Sequence, residues 1–181
     1  MTLTIAIDFG GVLSITQEMD DILLGHKSTD INIPGSIDAL INMKKKGHKL
    51  FINSFCGKAR AIQTRSSIEQ KVPGVFDGLY FVKNKKFKGY ITQFIGANVM
   101  IDDTLEVLET IREYDSECHL IWFTGDLREK TGTFLNNVSS ANGIVMLDSW
   151  DKIVMHINSL TNVTPRIPDF KMNIDSIIYT T

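Results

Sequence analysis

Short apolar runs alternate with amphipathic segments along most of this chain, and this alternation constrains the fold more than any other feature. The first run, residues 3–7, is rich in β-branched residues and leads directly into Asp8 and two glycines. Short apolar runs that end at turn residues predict buried strands. Strands that alternate with helices form parallel sheets with helices on both faces. The sequence therefore predicts a three-layer α/β/α sandwich around a parallel sheet of about five or six strands.

The other elements follow from the same periodicities. Predicted helices have apolar residues at helical spacing and are bounded by glycine, proline or a capping side chain such as Thr104. The further predicted strands cover 50–54, 78–82, 97–101, 118–123 and 143–147. The predicted helices cover 36–46, 58–70, a segment ending near 95, 105–114 and 150–160, with a short one at 19–24. The tail 161–181 is predicted to be irregular, with one strand candidate at 174–179.

Length and composition narrow the class of protein. The chain has 181 residues, which fits one domain over 1–181, since domains have about 100–200 residues. The formal net charge of −2 gives no basic surface for nucleic acid or an anionic membrane. Apolar runs are shorter than the roughly 20 residues of a membrane span. There is no export signal at the N-terminus, and two cysteines without metal-site spacing fit a reducing compartment, so we expect a cytoplasmic location.

Polar residues stand where the predicted strands end. They are Asp8, Ser54, the lysines at 83, 85, 86 and 88, and the pair Asp102-Asp103. The carboxyl ends of parallel strands share one edge of the sheet, so these groups can converge there. Acids from two strands suit Mg²⁺, which binds one or two carboxylates plus phosphate oxygens. A hydroxyl, backbone N–H groups and a lysine suit a phosphoryl group, which a carboxylate can attack to form an aspartyl-phosphate.

Each of these residues also has a purely structural alternative. Asp8 alone could end a strand, and Asp102-Asp103 could cap the next helix. Ser54 could bond a backbone group, and the lysines could form a solvated basic face. The functional interpretation therefore depends on the combination. Two adjacent acids after a buried strand are costly unless a cation pairs with them.

The combination resembles the four motifs of the haloacid dehalogenase (HAD) superfamily. The segments concerned are Asp-Phe-Gly-Gly-Val-Leu at 8–13, Phe-Ile-Asn-Ser at 51–54, Lys-Gly at 88–89 and Val-Met-Ile-Asp-Asp at 99–103. Together they extend over roughly residues 3–150. The resemblance implies the Rossmann-like three-layer fold of that superfamily. It also implies a Mg²⁺-dependent phosphatase, which is a phosphoric monoester hydrolase.

The resemblance also implies a role for each matching residue. Asp8 would be the nucleophile and a metal ligand, and the backbone carbonyl of Gly10 would bind the same metal. Ser54 and the backbone of Phe55 would bind phosphate. Lys88 would bind phosphate and act in catalysis, with Lys86 as the second choice. Asp103 and Asp102 would bind the metal directly or through water.

This chain departs from the superfamily pattern at one position of the first motif. Phosphatases with these motifs usually carry a second Asp two residues after the nucleophile, as general acid and base, and here that residue is Gly10. Proton transfer typically contributes about 10²–10⁴-fold in rate. Three functions stay open: a phosphatase, a weakly active or inactive binding or scaffold protein, and a nucleotidase-like phosphatase. Glu18, Asp20 and Asp21 are candidates for a replacement acid.

Most members of the superfamily insert a cap domain after the first or the third strand, and neither the segment 14–33 nor the region after the third strand has room for one here. Similar uncapped members act on large, exposed phosphoryl groups or form oligomers in which a neighbour covers the site. We therefore expect the partner to be a phosphorylated small molecule or an exposed phosphoryl group, and a homo-oligomer is one way to cover the site.

Overall fold

The computed structural model describes residues 1–15, 29–125 and 143–179. The short helix predicted at 19–24 and the acids Glu18, Asp20 and Asp21 lie outside these ranges. The described residues form one six-stranded sheet in the order β3-β2-β1-β4-β5-β6, with every pair of neighbouring strands parallel. The strands are β1 Thr4–Ile7, β2 Lys49–Phe55, β3 Gly78–Val82, β4 Val99–Asp102, β5 His119–Phe123 and β6 Ile144–Leu147.

Within the described ranges, five α-helices connect and cover these strands. They are α1 Ser36–Lys45, α2 Lys58–Lys71, α3 Lys88–Phe94, α4 Leu105–Tyr114 and α5 Trp150–Ser159, and a 3₁₀ turn, Lys85–Phe87, precedes α3. The predicted α/β sandwich and its strand order along the chain are confirmed, and most predicted boundaries lie within two residues of the observed ones.

Two apolar layers hold the helices on opposite faces of the sheet. In β1, Ile5 and Ile7 face one layer with α1, α2 and α5, whereas Ala6 faces the other layer with α3 and α4. This alternation is the two-residue period of a strand. Because the central strands are buried on both faces, β1 and β4 are continuous apolar runs. The sheet therefore holds its carboxyl-end residues on a rigid base.

The C-terminal tail packs on the edge of the sheet beside β3 without becoming a strand. Ile178 forms one antiparallel bridge with Val82, and the Tyr179 N–H donates to the Phe81 carbonyl at 2.9 Å. The strand candidate at 174–179 is wrong, because the Ile177 and Ile178 N–H groups donate locally to the Ile174 carbonyl in a turn. The buried Ile174 side chain anchors this turn in the layer of α3 and α4.

None of the helices in the three described ranges is long and apolar enough to cross a membrane.

Candidate active site

Asp8 and Asp102 lie side by side because β1 and β4 are neighbours in register. Ile7 pairs with Ile101, and the Asp8 N–H donates to the Ile101 carbonyl at 2.9 Å. Asp102 is the last residue of β4, and its side chain is fully buried. The parallel register thus places the two carboxylates at the same edge of the sheet, as the sequence predicted.

Asp103 directly follows β4, and its carboxylate lies against the turn after β1, close to Asp8 and Asp102. The Phe9 carbonyl accepts from both the Leu13 and Ser14 N–H groups at 3.0 Å, and this tightens the turn. Gly11 has a φ of +74°, and a Cβ there would lie only 2.0 Å from Asp103 Oδ2. Glycine is therefore required at position 11 for two reasons: it accepts the positive φ, and it lets the Asp103 carboxylate approach closely.

Lys88 is the cation at the centre of the cluster. Its Nζ lies 2.6 Å from Asp102 Oδ2 and 2.9 Å from Asp8 Oδ2, and its side chain is 2% exposed. Burial by itself lowers the pKa of Lys88, but Asp102 and then Asp8 raise it, and the net shift is upward. Lys88 is therefore charged at neutral pH. Lys86, the second choice from the sequence, is exposed and belongs to the 3₁₀ turn.

The acids outnumber the buried lysine. Asp8, Asp102 and Asp103 each offer a carboxylate oxygen, and these oxygens lie within 4.8 Å of one another. The pKa of Asp103 is raised to about 7, mainly by burial and in addition by the neighbouring charges of Asp8 and Asp102. Burial likewise raises the pKa of Asp102 to about 6, although Lys88 counteracts it. When all four groups are ionised the cluster has two more negative than positive charges. A divalent cation would balance them.

The predicted phosphate-binding residues Ser54 and Phe55 are the last two residues of β2. Ile52 pairs with Ile7 across β1 and β2, so Ser54 lies at the same sheet edge as Asp8. The Ser54 side chain is buried, whereas the Phe55 side chain is exposed. Gly10 lies in the turn after β1, where it forms an isolated bridge with Ser14.

Three residues that the sequence did not single out for the site hold its acids and its lysine. The Asn53 amide donates to the Lys88 carbonyl at 2.9 Å, and this contact ties α3 to β2. The Thr104 N–H donates to Asp102 Oδ1 at 2.9 Å, and the Trp122 indole N–H donates to the Asp103 carbonyl at 3.0 Å. The signal for Asn53 was its place inside the motif at 51–54, and the signal for Thr104 was its place directly after the motif at 99–103. Trp122 had no sequence signal, since its contact depends on the pairing of β4 with β5.

Thr104 occupies the predicted N-cap position of α4 but does not use its side chain as a cap. Its hydroxyl instead donates to Asp103 Oδ1 at 3.3 Å. The predicted position is correct, and the predicted partner is wrong because the neighbouring carboxylate competes for the hydroxyl.

Arg60 is a further side chain at the site that the sequence did not indicate. It lies in the first turn of α2, and its Nη2 is 3.6 Å from the position that a Cβ on Gly10 would occupy. Its closeness depends on how α2 packs over the turn after β1. The motif pattern therefore gave no signal for it.

The donor set is appropriate for a hard cation and a phosphoryl group. Carboxylate oxygens are the ligands that Mg²⁺ prefers, and it binds them together with phosphate oxygens. The cluster combines such oxygens with excess negative charge, and burial makes that charge costly without a cation. The residues present thus fit a divalent metal.

No protein-family profile and no curated protein sequence matches this chain. Solved structures do match. One is the D,D-heptose 1,7-bisphosphate phosphatase from B. bronchiseptica complexed with magnesium and phosphate, at 14% identity and a TM-score of 0.61, over 89% of this chain and 100% of that one. Another is a HAD-superfamily hydrolase from Ehrlichia chaffeensis, at 14% identity and a TM-score of 0.55, over 90% and 100%.

A third match is a HAD hydrolase from Bacillus subtilis bound to magnesium, at 10% identity and a TM-score of 0.58, over 88% of this chain and 99% of that one. At such low identity these similarities concern the fold, and they agree on it. The chain therefore has the Rossmann-like fold of the HAD-superfamily hydrolases.

Proposed function

We propose that this chain is a Mg²⁺-dependent phosphatase that forms an aspartyl-phosphate on Asp8. The observation that carries the proposal is the buried lysine between two carboxylates: Lys88 Nζ contacts both Asp8 and Asp102, and Asp103 completes a cluster with excess negative charge. A cluster of this kind at the carboxyl edge of a parallel sheet has the charge and the position of a phosphoryl-transfer site.

The carboxylate of Asp8 is held in one orientation. Its Oδ1 accepts from the Phe9 N–H at 2.7 Å, and its Oδ2 contacts Lys88 Nζ at 2.9 Å. In the proposed reaction an oxygen of this carboxylate attacks phosphorus, and water then hydrolyses the aspartyl-phosphate. Holding the nucleophile in a fixed position lowers the entropic part of the barrier.

Lys88 and Ser54 would bind the phosphoryl oxygens. Lys88 is buried and charged, so it can offset negative charge on the transferring group without a large rearrangement. Ser54 presents a hydroxyl at the same sheet edge, and the Phe55 N–H would add a backbone donor. In the proposed reaction these residues would hold the phosphoryl group next to Asp8.

Asp8, Asp103 and the Gly10 carbonyl would hold Mg²⁺, with Asp102 as a direct ligand or as a ligand through water. When bound, this cation would neutralise charge on the phosphoryl oxygens. Asp102 already accepts from the Thr104 N–H and contacts Lys88, so its orientation is fixed before any ligand arrives. The fold shared with a phosphatase complexed with magnesium and phosphate is consistent with the proposal of a magnesium site.

A substrate panel tests the proposal. Nucleotides, sugar phosphates, acyl phosphates, aryl phosphates and a phosphoprotein are incubated with the wild type and with Asp8→Asn, with and without Mg²⁺. We expect Mg²⁺-dependent release of phosphate by the wild type and a loss of at least about 10⁴-fold in Asp8→Asn, the scale seen when a nucleophile is removed. Asp38→Asn, which changes an exposed acid in the first turn of α1, is the matched control and should leave the rate unchanged.

The turn after β1 favours a second candidate function, a phosphate-binding or scaffold protein without turnover. Gly10 provides no side chain to transfer a proton, and Arg60 is the nearest described side chain to it. In that case the panel gives no Mg²⁺-dependent turnover with any substrate, and phosphate binds equally well to the wild type and to Asp8→Asn. That result would overturn the phosphatase proposal.

A further inference from the structure

Arg60 lies beside Gly10, a residue of the turn after β1, and has no ionic partner among the described residues. It is half-buried, and no residue in the described part of the chain forms an ion pair or a hydrogen bond with its guanidinium. Its Nη2 lies 3.6 Å from the position of a Cβ on Gly10. Gly10 in turn is next to Gly11, which touches Asp103. The guanidinium therefore borders the site without serving the fold through any pairing in the described ranges.

The three acids of the cluster already have contact partners other than Arg60. Lys88 contacts Asp8 and Asp102, and Asp103 packs on Gly11. Within the described ranges the side chain next to Gly10 is a guanidinium, which does not release its proton in proteins. It can, however, donate two parallel hydrogen bonds to an oxyanion. Within the described ranges, the side chain nearest to Gly10 on this side of the site thus carries positive charge and cannot act as an acid.

On the basis of the proposed function, we infer that Arg60 binds the oxygen of the leaving group and that the substrates are phosphoryl compounds whose leaving group departs as an anion. Acyl phosphates and phosphoanhydrides share this chemistry, since a carboxylate or a phosphate departs without taking a proton. Alkyl phosphates do not, because their alkoxide must be protonated as it departs. The absence of a side chain at Gly10 then leaves space for the leaving group beside Arg60.

The two steps balance without a general acid. In the first, an Asp8 carboxylate oxygen forms a bond to phosphorus, and the bond from phosphorus to the leaving oxygen breaks. Its electron pair stays on that oxygen, which departs as an anion paired with Arg60. In the second, water attacks phosphorus, the bond to Asp8 breaks and its electron pair returns to the carboxylate. The proton that the water loses ends on the phosphate released.

Leaving groups of different acidity test the substrate class. We expect kcat/KM of the wild type to be highest for acetyl phosphate, pyrophosphate or dinitrophenyl phosphate and to fall steeply through nitrophenyl phosphate and phenyl phosphate to glycerol phosphate. The acetyl phosphate and pyrophosphate arms separate acyl phosphates from phosphoanhydrides. Turnover of glycerol phosphate as efficient as that of acetyl phosphate would overturn the inference.

Removal of the guanidinium tests the role of Arg60. Arg60→Ala should lower kcat/KM for acetyl phosphate by about 10²-fold, the usual loss for one oxyanion donor. The loss should be greater for phenyl phosphate than for dinitrophenyl phosphate, because the more basic oxygen gains more from the donor. Arg60→Lys should keep part of the rate, and added guanidinium ion should partly rescue Arg60→Ala. An equal loss over the whole series, or no loss, would contradict the assignment.

A second pair of variants tests the Arg60 guanidinium by changing Gly10 and leaving Arg60 itself unaltered. Gly10→Asp places a carboxylate within reach of Arg60 and should neutralise it, so we expect a loss similar to that of Arg60→Ala. Gly10→Asn has the same shape without the charge and should retain more activity. A gain of activity with acetyl phosphate in Gly10→Asp would show that the free charge of Arg60 is not needed for an anionic leaving group, and it would overturn the inference.

Different results would refute the proposed phosphatase function and the inference about Arg60. If no substrate of the panel turns over and acetyl phosphate does not phosphorylate the wild type, or if Asp8→Asn leaves the turnover unchanged, the phosphatase proposal itself fails. If turnover depends on Asp8 but is indifferent to leaving-group acidity and to Arg60, only the present inference fails. Unfolding curves of all variants show whether a loss of activity reflects loss of the fold.

Discussion

The two edges of the sheet each bury charge, but in opposite ways. At the amino edge, Asp115 is 3% exposed and pairs with Arg166 at 2.8 Å, and the same guanidinium donates to the Ala97 carbonyl. At the carboxyl edge, one lysine faces three acids. The first group is balanced and needs nothing from solution. The second is unbalanced and is completed only by a further cation.

This difference separates a structural charge cluster from a functional one. Arg166 comes from the C-terminal tail, so its pair with Asp115 fixes that tail against the end of α4 and the start of β4. Removing either partner should therefore lower stability without affecting metal binding. The carboxyl-edge cluster holds acids whose pKa values are raised by burial, and perturbed pKa values of this kind are concentrated at functional sites.

Replacement of Lys88 should give the largest change in stability. Lys88→Met leaves the buried Asp8 and Asp102 and the half-buried Asp103 without their cation, so we expect the free energy of unfolding at pH 7 to fall by about 3–5 kcal/mol. Urea unfolding measures it. Mg²⁺ should restore part of the loss, because the acids can then share the added cation.

Arg166→Gln is the matched variant at the other edge. It should cost about 2 kcal/mol, because hydrogen bonds to charged groups contribute about 1.5–3 kcal/mol and Arg166 is partly exposed. Mg²⁺ should not restore this loss. Equal effects of Mg²⁺ on the two variants would contradict the distinction between the edges.

Addition of Mg²⁺ to the wild type should raise its stability in a pH-dependent way. At about 100 times Kd the gain is about 2.7 kcal/mol. Asp102 and Asp103 have pKa values raised to about 6 and about 7, so the stability they contribute is fully present below their unfolded pKa near 4 and is lost as the pH rises through 6 and 7. Mg²⁺ competes with those protons, and its stabilising effect should therefore be larger at pH 8 than at pH 5.

Thermal unfolding at the two pH values, with and without Mg²⁺, measures this effect, and Ca²⁺ serves as a second hard cation. A stabilising effect of Mg²⁺ that is the same at both pH values would show that the raised acids do not bind it.

The smallest expected changes in stability come from substitutions at two adjacent glycines, Gly10 and Gly11, beside the carboxyl-edge cluster. Gly11→Ala adds a Cβ at positive φ and against the Asp103 carboxylate, so we expect a loss of about 1–2 kcal/mol together with weaker Mg²⁺ binding. Gly10→Ala meets only the Arg60 side chain at 3.6 Å and should change stability by less than about 0.5 kcal/mol. Calorimetric titration with Mg²⁺ completes the comparison. Equal Mg²⁺ affinities would show that the Asp103 carboxylate does not need its place beside Gly11.

Much of the fold could be predicted because its signals are local. The continuous apolar runs of β1 and β4 indicated strands buried on both faces, and glycine and proline marked most helix boundaries. The wrong strand prediction at 174–179 also comes from relying on a local signal. Apolar residues there suggested a strand, but backbone bonds to the Ile174 carbonyl form a turn, and its side chains pack on a layer built by distant segments.

The sequence by itself determined that acids follow β1 and β4, that a hydroxyl ends β2, and that these residues meet at one edge, because parallel strands share an orientation. Only the tertiary structure decided which lysine enters the cluster. The bond from Asn53 to the Lys88 carbonyl ties α3 to β2, Lys88 Nζ reaches the acids, and Lys86 stays in solvent. It also decided that a guanidinium from α2 stands beside Gly10. These contacts join segments far apart in the chain, and their geometry depends on how helices pack on the sheet, which no local pattern encodes.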